Sequence, residues 1–211
     1  MRLDHVFSMP LPIDEAWGVL TDVERIAPCM PGAQLQEIEG DEYRGLVKVK
    51  VGPVATQYKG TARFLERDET ERRAVIRAEG RDARGQGNAT ATISMELTPA
   101  ADATDVKIST ELSITGRVAQ LGRGAISEVS DKLLRQFVAD LEAMLATNRV
   151  EGPPDGDVAP APGDGVRKID APEPPPVDLL DAAGGAIAKR LIVVAAGVFV
   201  VWMLVRRWRR H

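Results

Sequence analysis

The stretch Ala89–Leu97, ATATISMEL, carries small or apolar residues at every second position and polar residues between them. Successive side chains of a β-strand point to opposite faces of its sheet. The pattern therefore predicts a strand with a wet face of Thr90, Thr92, Ser94 and Glu96 and an apolar face on the other side. That apolar face consists of Ala89, Ala91, Ile93, Met95 and Leu97.

The same alternation continues outward on both sides of this stretch. It recurs in the segments that begin at Tyr43, Thr56, Ala74 and Val106, and a further strand is expected at about Leu3–Met9. Successive strands that each have one wet face are typical of an antiparallel sheet.

Two other segments have helical signals. Pro12 precedes Asp14 and Glu15, which predicts a short helix, followed by a second one that ends before Pro31. From Val118 to Leu145 apolar residues recur every three or four positions, which predicts one helix of about 40 Å. A sheet with one apolar face needs a cover, so we expect an α+β fold in which the antiparallel sheet wraps around this long C-terminal helix.

Composition divides the 211 residues into three parts. Residues 1–150 form the predicted domain. Residues 151–181 hold eight of the 14 prolines and eight acids against two bases, and they predict a disordered, proline-rich acidic linker. Residues 182–211 contain six bases and no acid.

The C-terminal part predicts a membrane anchor, because 15 apolar residues run without a break from Leu191 to Val205. A helix that crosses the bilayer and a helix that lies shallowly in one leaflet both remain open. The single Cys29 and the lack of a signal-peptide core place the domain on the cytoplasmic side of the inner membrane. The expected anchor residues are Leu191, Phe199, Trp202, Arg206, Arg207, Trp208, Arg209 and Arg210.

Residues for catalysis or metal binding are scarce. The two histidines, His5 and His211, and the lone Cys29 cannot assemble a usual metal site. Of the inward positions, only Tyr58 offers a group that could transfer a proton. The net charge of −4 and the absence of a basic face in the domain argue against nucleic acid. We therefore expect a protein that is not an enzyme.

The apolar face of the predicted sheet is rich in small residues, such as Ala62, Ala78 and Ala91. Small residues can leave a groove between sheet and helix for a lipophilic ligand. A helix that lies closer to the sheet and closes the gap is the alternative. The expected wall of the groove consists of Val49, Tyr58, Phe64, Ile76, Ala78, Ala91, Ile93, Met95, Ile108, Leu112, Leu133 and Phe137.

This order of elements resembles the helix-grip arrangement of START-like, polyketide-cyclase-like domains. Three stretches resemble the G-subunit family of carbon monoxide dehydrogenase more closely. They are AWGVLTDVERIAPCMPGAQL (16–35), VKVKVGPVATQYKGTARF (47–64) and AEGRDARGQGNATATISMEL (78–97). The resemblance covers about residues 3–145.

The resemblance implies a non-catalytic accessory protein, tethered to the membrane, whose partner is a molybdenum-containing carbon monoxide dehydrogenase or a related hydroxylase. It implies no covalent cofactor and favours a respiratory quinone as the lipophilic ligand. Two alternatives remain: a static anchor for the enzyme without cargo, and a cyclase- or hydrolase-like enzyme of the helix-grip superfamily.

Overall fold

A computed structural model describes residues 1–51, 54–151, 167–169 and 177–178 of the chain. The chain divides into two compact units, Met1–Val177 and Asp178–His211. All described residues except Asp178 belong to the first unit. The predicted anchor at residues 182–211 lies outside the described residues, as does most of the predicted linker.

The predicted elements follow each other in the predicted order, together with three further strands among the described residues. Their bounds are β1 (Arg2–Met9), α1 (Ile13–Thr21), α2 (Val23–Ile26), β2 (Ala33–Glu39), β3 (Glu42–Val51), β4 (Val54–Asp68), β5 (Arg73–Asp82), β6 (Asn88–Ala100), β7 (Ala103–Ile114), α3 (Gly122–Glu151), β8 (Arg167–Lys168) and β9 (Val177–Asp178). The further strands are β2, β8 and β9.

One antiparallel sheet contains the strands in the spatial order β1-β7-β6-β5-β4-β3-β2-β8. The six strands expected from the alternation, β1 and β3 to β7, are all present. The sequence analysis missed β2, whose Leu35 and Ile38 stand three residues apart. A register shift between Leu35 and Glu37 explains this spacing, because a bulge adds one residue and breaks the period of two.

A packed core fills one end of the molecule. Trp17 and Leu20 of α1 join Met95, Val106 and Leu141 in a single cluster of buried residues. The β1–α1 connection is fixed to the sheet by the Thr104 hydroxyl, which donates to the Leu11 carbonyl oxygen at 2.8 Å. The prediction of two short helices before Pro31 is confirmed, and a 3-10 turn at Ala27–Cys29 follows them.

The long C-terminal helix is also confirmed, with shifted bounds. A 3-10 turn occupies Ala119–Leu121, and Gly122 at its end has a φ of +80°, which side-chain-bearing residues rarely adopt. The α-helix therefore begins after the 3-10 turn, later than the expected Val118. His5 of β1 joins it to the sheet, with 3.0 Å between His5 Nε2 and Asp131 Oδ1.

A piece of the predicted linker pairs with the sheet. In β8, Arg167 and Lys168 lie opposite Ile38 and Glu37 of β2, and the Ile169 amide donates to the Gln36 carbonyl oxygen at 2.8 Å. The sequence analysis did not anticipate this pairing, because main-chain hydrogen bonds to an open sheet edge need no apolar side chains. The boundaries at 150 and 181 stay predictions.

Among the described residues, no helix combines the length and the apolarity that crossing a bilayer requires.

Candidate functional site

Strand register places the predicted groove residues on one face of the sheet. Phe64, Ile76 and Ile93 lie opposite one another across three strands, and Ala78, Ala91 and Leu112 are joined in the same way. Directly opposed residues of antiparallel strands point to the same side. The inner face defined in this way contains Val49, Tyr58, Phe64, Ile76, Ala78, Ala91, Ile93, Met95, Ile108 and Leu112.

Part of this inner face belongs to the packed core. Met95 is buried in the core cluster, and Phe64, Ile108 and Phe137 pack against it. The ring of Phe137 meets the ring of Phe7 edge to face, with 6.2 Å between the centroids. Met95 is therefore closed off, whereas Phe64, Ile108 and Phe137 are half-buried at the border of the core. The contact of these four residues with a ligand stays a prediction.

The remainder of the inner face, which we call the open half, is incompletely covered. Its apolar residues keep part of their surface accessible although they point to the side of the sheet that α3 covers. By contrast, Ala74 on the same face of β5 is 0% exposed. The half-buried residues of the open half are Val49, Tyr58, Ile76, Ala78, Ala91, Ile93 and Leu112, with Leu133 on α3.

The residues on this face are small for two different reasons. A Cβ atom on Gly60 would collide with the Glu79 carbonyl oxygen, so the close approach of β4 and β5 requires this glycine. A Cβ atom on Gly80 would make only ordinary contact, 3.4 Å from the Tyr58 Cβ. Gly60 is therefore small because of its backbone, whereas Gly80 leaves room that the Tyr58 side chain borders.

A polar group that sequence reasoning missed lies at the end of the open half. Asp82 is opposite Tyr58 in the register and only 7% exposed. The Thr56 hydroxyl donates a hydrogen bond to its carboxylate, and the amides of Arg84 and Gln86 donate at 2.9 and 3.1 Å. The parity of Ala74, Ile76, Ala78 and Gly80 could have placed it inward, but the glycine-rich segment around it indicated only a turn.

The surroundings of Asp82 and Tyr58 favour an ionised carboxylate on Asp82 and a neutral hydroxyl on Tyr58. The hydrogen bonds, first from the Thr56 hydroxyl and then from the Gln86 amide, lower the pKa of Asp82 below its usual 3.8. Burial raises the pKa of Tyr58, and the negative charge of Asp82 raises it further. Tyr58 therefore keeps its proton, with its hydroxyl beside that of Thr56, while Asp82 is engaged in holding its turn.

The described residues offer little else for chemistry. They contain no group of three His, Cys, Asp or Glu side chains that could hold a metal ion. Cys29 is 2% exposed, and burial raises the pKa of its thiol, so this cysteine is a packing residue.

A surface depression of about 480 Å³ lies at the same end of the sheet, beside the β5–β6 turn. We call this depression the mouth. It is lined by Val54, Ala55, Arg84, Arg117, Gln120 and Leu121. A smaller depression of about 190 Å³ shares Ala55 and Arg84 with it and extends to Val49 of the inner face.

Comparison with known proteins extends these observations. The model of the CoxG family, described as the G subunit of carbon monoxide dehydrogenase, matches residues 6–146. No curated protein sequence matches the chain.

Several solved structures share the fold. A conserved protein from Geobacillus kaustophilus has a TM-score of 0.63 at 19% identity, covering 70% of this chain and 97% of its own. A protein from Thermus thermophilus has a TM-score of 0.51 at 13% identity, with 70% and 98% covered. Truncated norcoclaurine synthase from Thalictrum flavum has a TM-score of 0.50 at 15% identity, with 69% and 92% covered. At these identities the likeness shows the fold alone, the helix-grip arrangement of a sheet with a long C-terminal helix.

Proposed function

This chain belongs to the CoxG family, the G-subunit family of carbon monoxide dehydrogenase, and we propose from that premise that it is a non-catalytic accessory protein of a molybdenum-containing carbon monoxide dehydrogenase or a related hydroxylase. Its domain binds a lipophilic molecule, and its C-terminal segment tethers it to the cytoplasmic face of the inner membrane. The family match supports the resemblance on which the sequence analysis relied.

The open half of the inner face is the observation that carries the proposal. Protein interiors are normally close-packed, so a face with half-buried Ile76, Ile93 and Leu112 retains apolar surface that a ligand can cover. Such a surface with few polar groups favours a lipophilic ligand. Each apolar side chain that the ligand encloses contributes to affinity in proportion to the area removed from water.

A respiratory quinone fits the polar end of this surface. Its ring carries carbonyl oxygens, which accept hydrogen bonds, and its isoprenoid tail is apolar throughout. We place the ring near Tyr58, whose neutral hydroxyl donates to a carbonyl, and the tail along Ala78 and Ala91. By accepting electrons from the soluble dehydrogenase, the bound quinone would connect that enzyme to the membrane.

Lipid extraction tests the cargo directly. The full chain is purified from membranes of its host, and the organic extract is analysed by mass spectrometry. We expect a quinone in the wild type and its loss in Ala91→Trp, because the added ring occupies the open half. Thr90→Trp is the matched control, since Thr90 points to the opposite face. Repeated preparations of the wild type without quinone would contradict the proposal that the domain binds a quinone.

The same variants separate a carrier from a static anchor. A carrier with Ala91→Trp should still bring the dehydrogenase to the membrane in co-sedimentation, yet lose quinone reduction driven by carbon monoxide. A static anchor should keep both activities in this variant.

The enzyme alternative has one observation in its favour, the fold shared with norcoclaurine synthase. It needs an acid or a base that can change its protonation state at the ligand. Asp82 does not fit this role, because the three hydrogen bonds to its carboxylate favour the ionised form and occupy its oxygens. We therefore keep the accessory role.

A further inference from the structure

The two ends of the sheet differ in the charge of their connections. In an antiparallel sheet, successive connections alternate between the two ends. The β5–β6 turn and the β7–α3 connection therefore lie at the end that carries the mouth. The β2–β3, β4–β5 and β6–β7 turns lie at the opposite end, next to the packed core.

Bases mark the mouth end and acids mark the core end. Among the described residues, the β5–β6 turn contains Arg84 and the β7–α3 connection contains Arg117, and neither contains an acid. The carboxylate of Asp82, directly before the β5–β6 turn, is only 7% exposed, so the exposed charges at this end are the arginines. The turns at the other end carry an excess of acids over the single base Arg72. These acids are Asp41, Glu69, Glu71 and Asp102.

Apolar side chains line the mouth together with its two arginines. Arg84 and Arg117 are exposed, and the half-buried Val54 and Leu121 line the same depression. Surfaces that insert apolar side chains at the headgroup level and place bases around them are typical of binding to anionic bilayers. An acidic far end is repelled by the same bilayer, so the charge distribution orients the molecule with its mouth toward the lipid.

We propose that the mouth is the surface with which the domain docks on an anionic lipid bilayer, so that the open half faces the membrane directly. The proposal rests on the proposed function, because a lipophilic ligand then passes between bilayer and domain without crossing water. It concerns the folded domain and is separate from the tether at residues 182–211.

Site-specific fluorescence tests the docking in the full chain. A cysteine at Gln120→Cys, in the mouth, carries an environment-sensitive dye, and Asp102→Cys carries it at the core end. The native Cys29 is buried and does not compete for the label. The vesicles contain phosphatidylcholine alone or phosphatidylcholine with roughly one third phosphatidylglycerol.

We expect a blue shift of the dye at position 120 on the anionic vesicles and none at position 102. The shift should fall to the level of neutral vesicles in about 0.5 M salt, because screening shortens the electrostatic range to a few ångströms. Arg84→Glu with Arg117→Glu should abolish it. Arg63→Glu with Arg135→Glu, which changes the net charge equally at exposed positions elsewhere, should leave it.

Three outcomes would overturn the docking surface. They are equal shifts at positions 120 and 102, an equal shift on neutral vesicles, and a shift at position 120 that needs the dehydrogenase and not lipid. Quinone content measured on the same samples separates the two proposals. Bound quinone without a fluorescence shift would support the quinone ligand and contradict the docking surface. A fluorescence shift without bound quinone would support the docking surface and contradict the quinone ligand.

Discussion

Ala74 and Ala78 lie four residues apart on β5 and point to the same face of the sheet. Ala74 is fully enclosed, with 0% exposure, and lies opposite Met95 of the core. Ala78 lies opposite Ala91 and is half-buried. The side chain is the same at both positions, so the difference arises from what lies above each one.

Tryptophan at each position should separate the two environments. Ala74→Trp overpacks a closed site and should reduce the free energy of unfolding by about 1–3 kcal/mol or more. Ala78→Trp places its ring in accessible space and should change that free energy by less than about 1 kcal/mol. Chemical denaturation measures both. An equal, large loss in the two variants would mean that α3 closes over the whole face.

The hydrogen bonds of Asp82 predict a pH dependence of stability. They lower its pKa in the folded state, so the unfolded chain takes up the proton first as the pH falls. The stabilisation is complete above the usual value of 3.8 and is lost as the pH falls through the folded value.

Asp82→Asn should therefore melt at a lower temperature than the wild type at pH 7, and the gap should narrow below about pH 4. Thr56→Val removes one donor and should show part of the same effect. Thermal melts at several pH values measure the gap. A gap that stays constant down to about pH 2 would assign the effect to shape and not to charge.

The alternation of the sequence predicted which residues point inward, because the period of two survives wherever a strand has no bulge. It could not predict that Ala74 is more deeply buried than Ala78, since burial depends on where a helix from a distant part of the chain lies. It also missed Asp82, because a polar residue in a glycine-rich turn is expected to be solvated until its partners Thr56 and Gln86 are known.

The helix α3 has two different halves. Leu141 and Leu145 in its second half are buried in the core cluster, and Leu141 is only 1% exposed. Leu133, two turns before Leu141, is only half-buried. The apolar period of three to four residues runs through both halves and so could not show this difference.

Alanine substitutions in the two halves of α3 should reduce the free energy of unfolding by different amounts. Leu141→Ala should cost about 2–5 kcal/mol, because it leaves a cavity in a closed core. Leu133→Ala should cost less than half as much, since part of the leucine already contacts open space. Urea denaturation of the two variants compares them. Equal costs would indicate that the first half of α3 is packed as tightly as the second.

The sequence predicts a domain followed by a tail of the opposite charge. The six bases of residues 182–211 follow a chain segment rich in acids, whereas residues 1–150 are net acidic. The folding of the domain should therefore not depend on residues 182–211. Composition is enough to divide the chain into three parts, but it cannot give their arrangement in space.

Removal of residues 182–211 should leave a domain with an unchanged melting temperature that no longer sediments with membranes. The reason is that, within the part of the chain that the structure describes, the buried core cluster ends at Leu145. Ultracentrifugation with native membranes and a thermal melt measure the two quantities. A truncated chain that still sediments quantitatively in high salt would show that the anchor lies elsewhere.

The pairing of β8 with β2 has a mechanical consequence. Between residues 150 and 182 the chain has 31 residues, but β8 pairs with β2 and the strand β9, which begins at Val177, pairs with β3, so only four residues follow Val177 before 182. Fully stretched, four residues span about 14 Å and 31 residues span about 110 Å. While both short strands stay paired, a domain held at residue 182 can explore a volume several hundredfold smaller, by an order-of-magnitude estimate. The main-chain pairing of these short strands therefore limits the distance between the domain and residue 182. Releasing the pairing would lengthen this connection without any change in the fold of the domain.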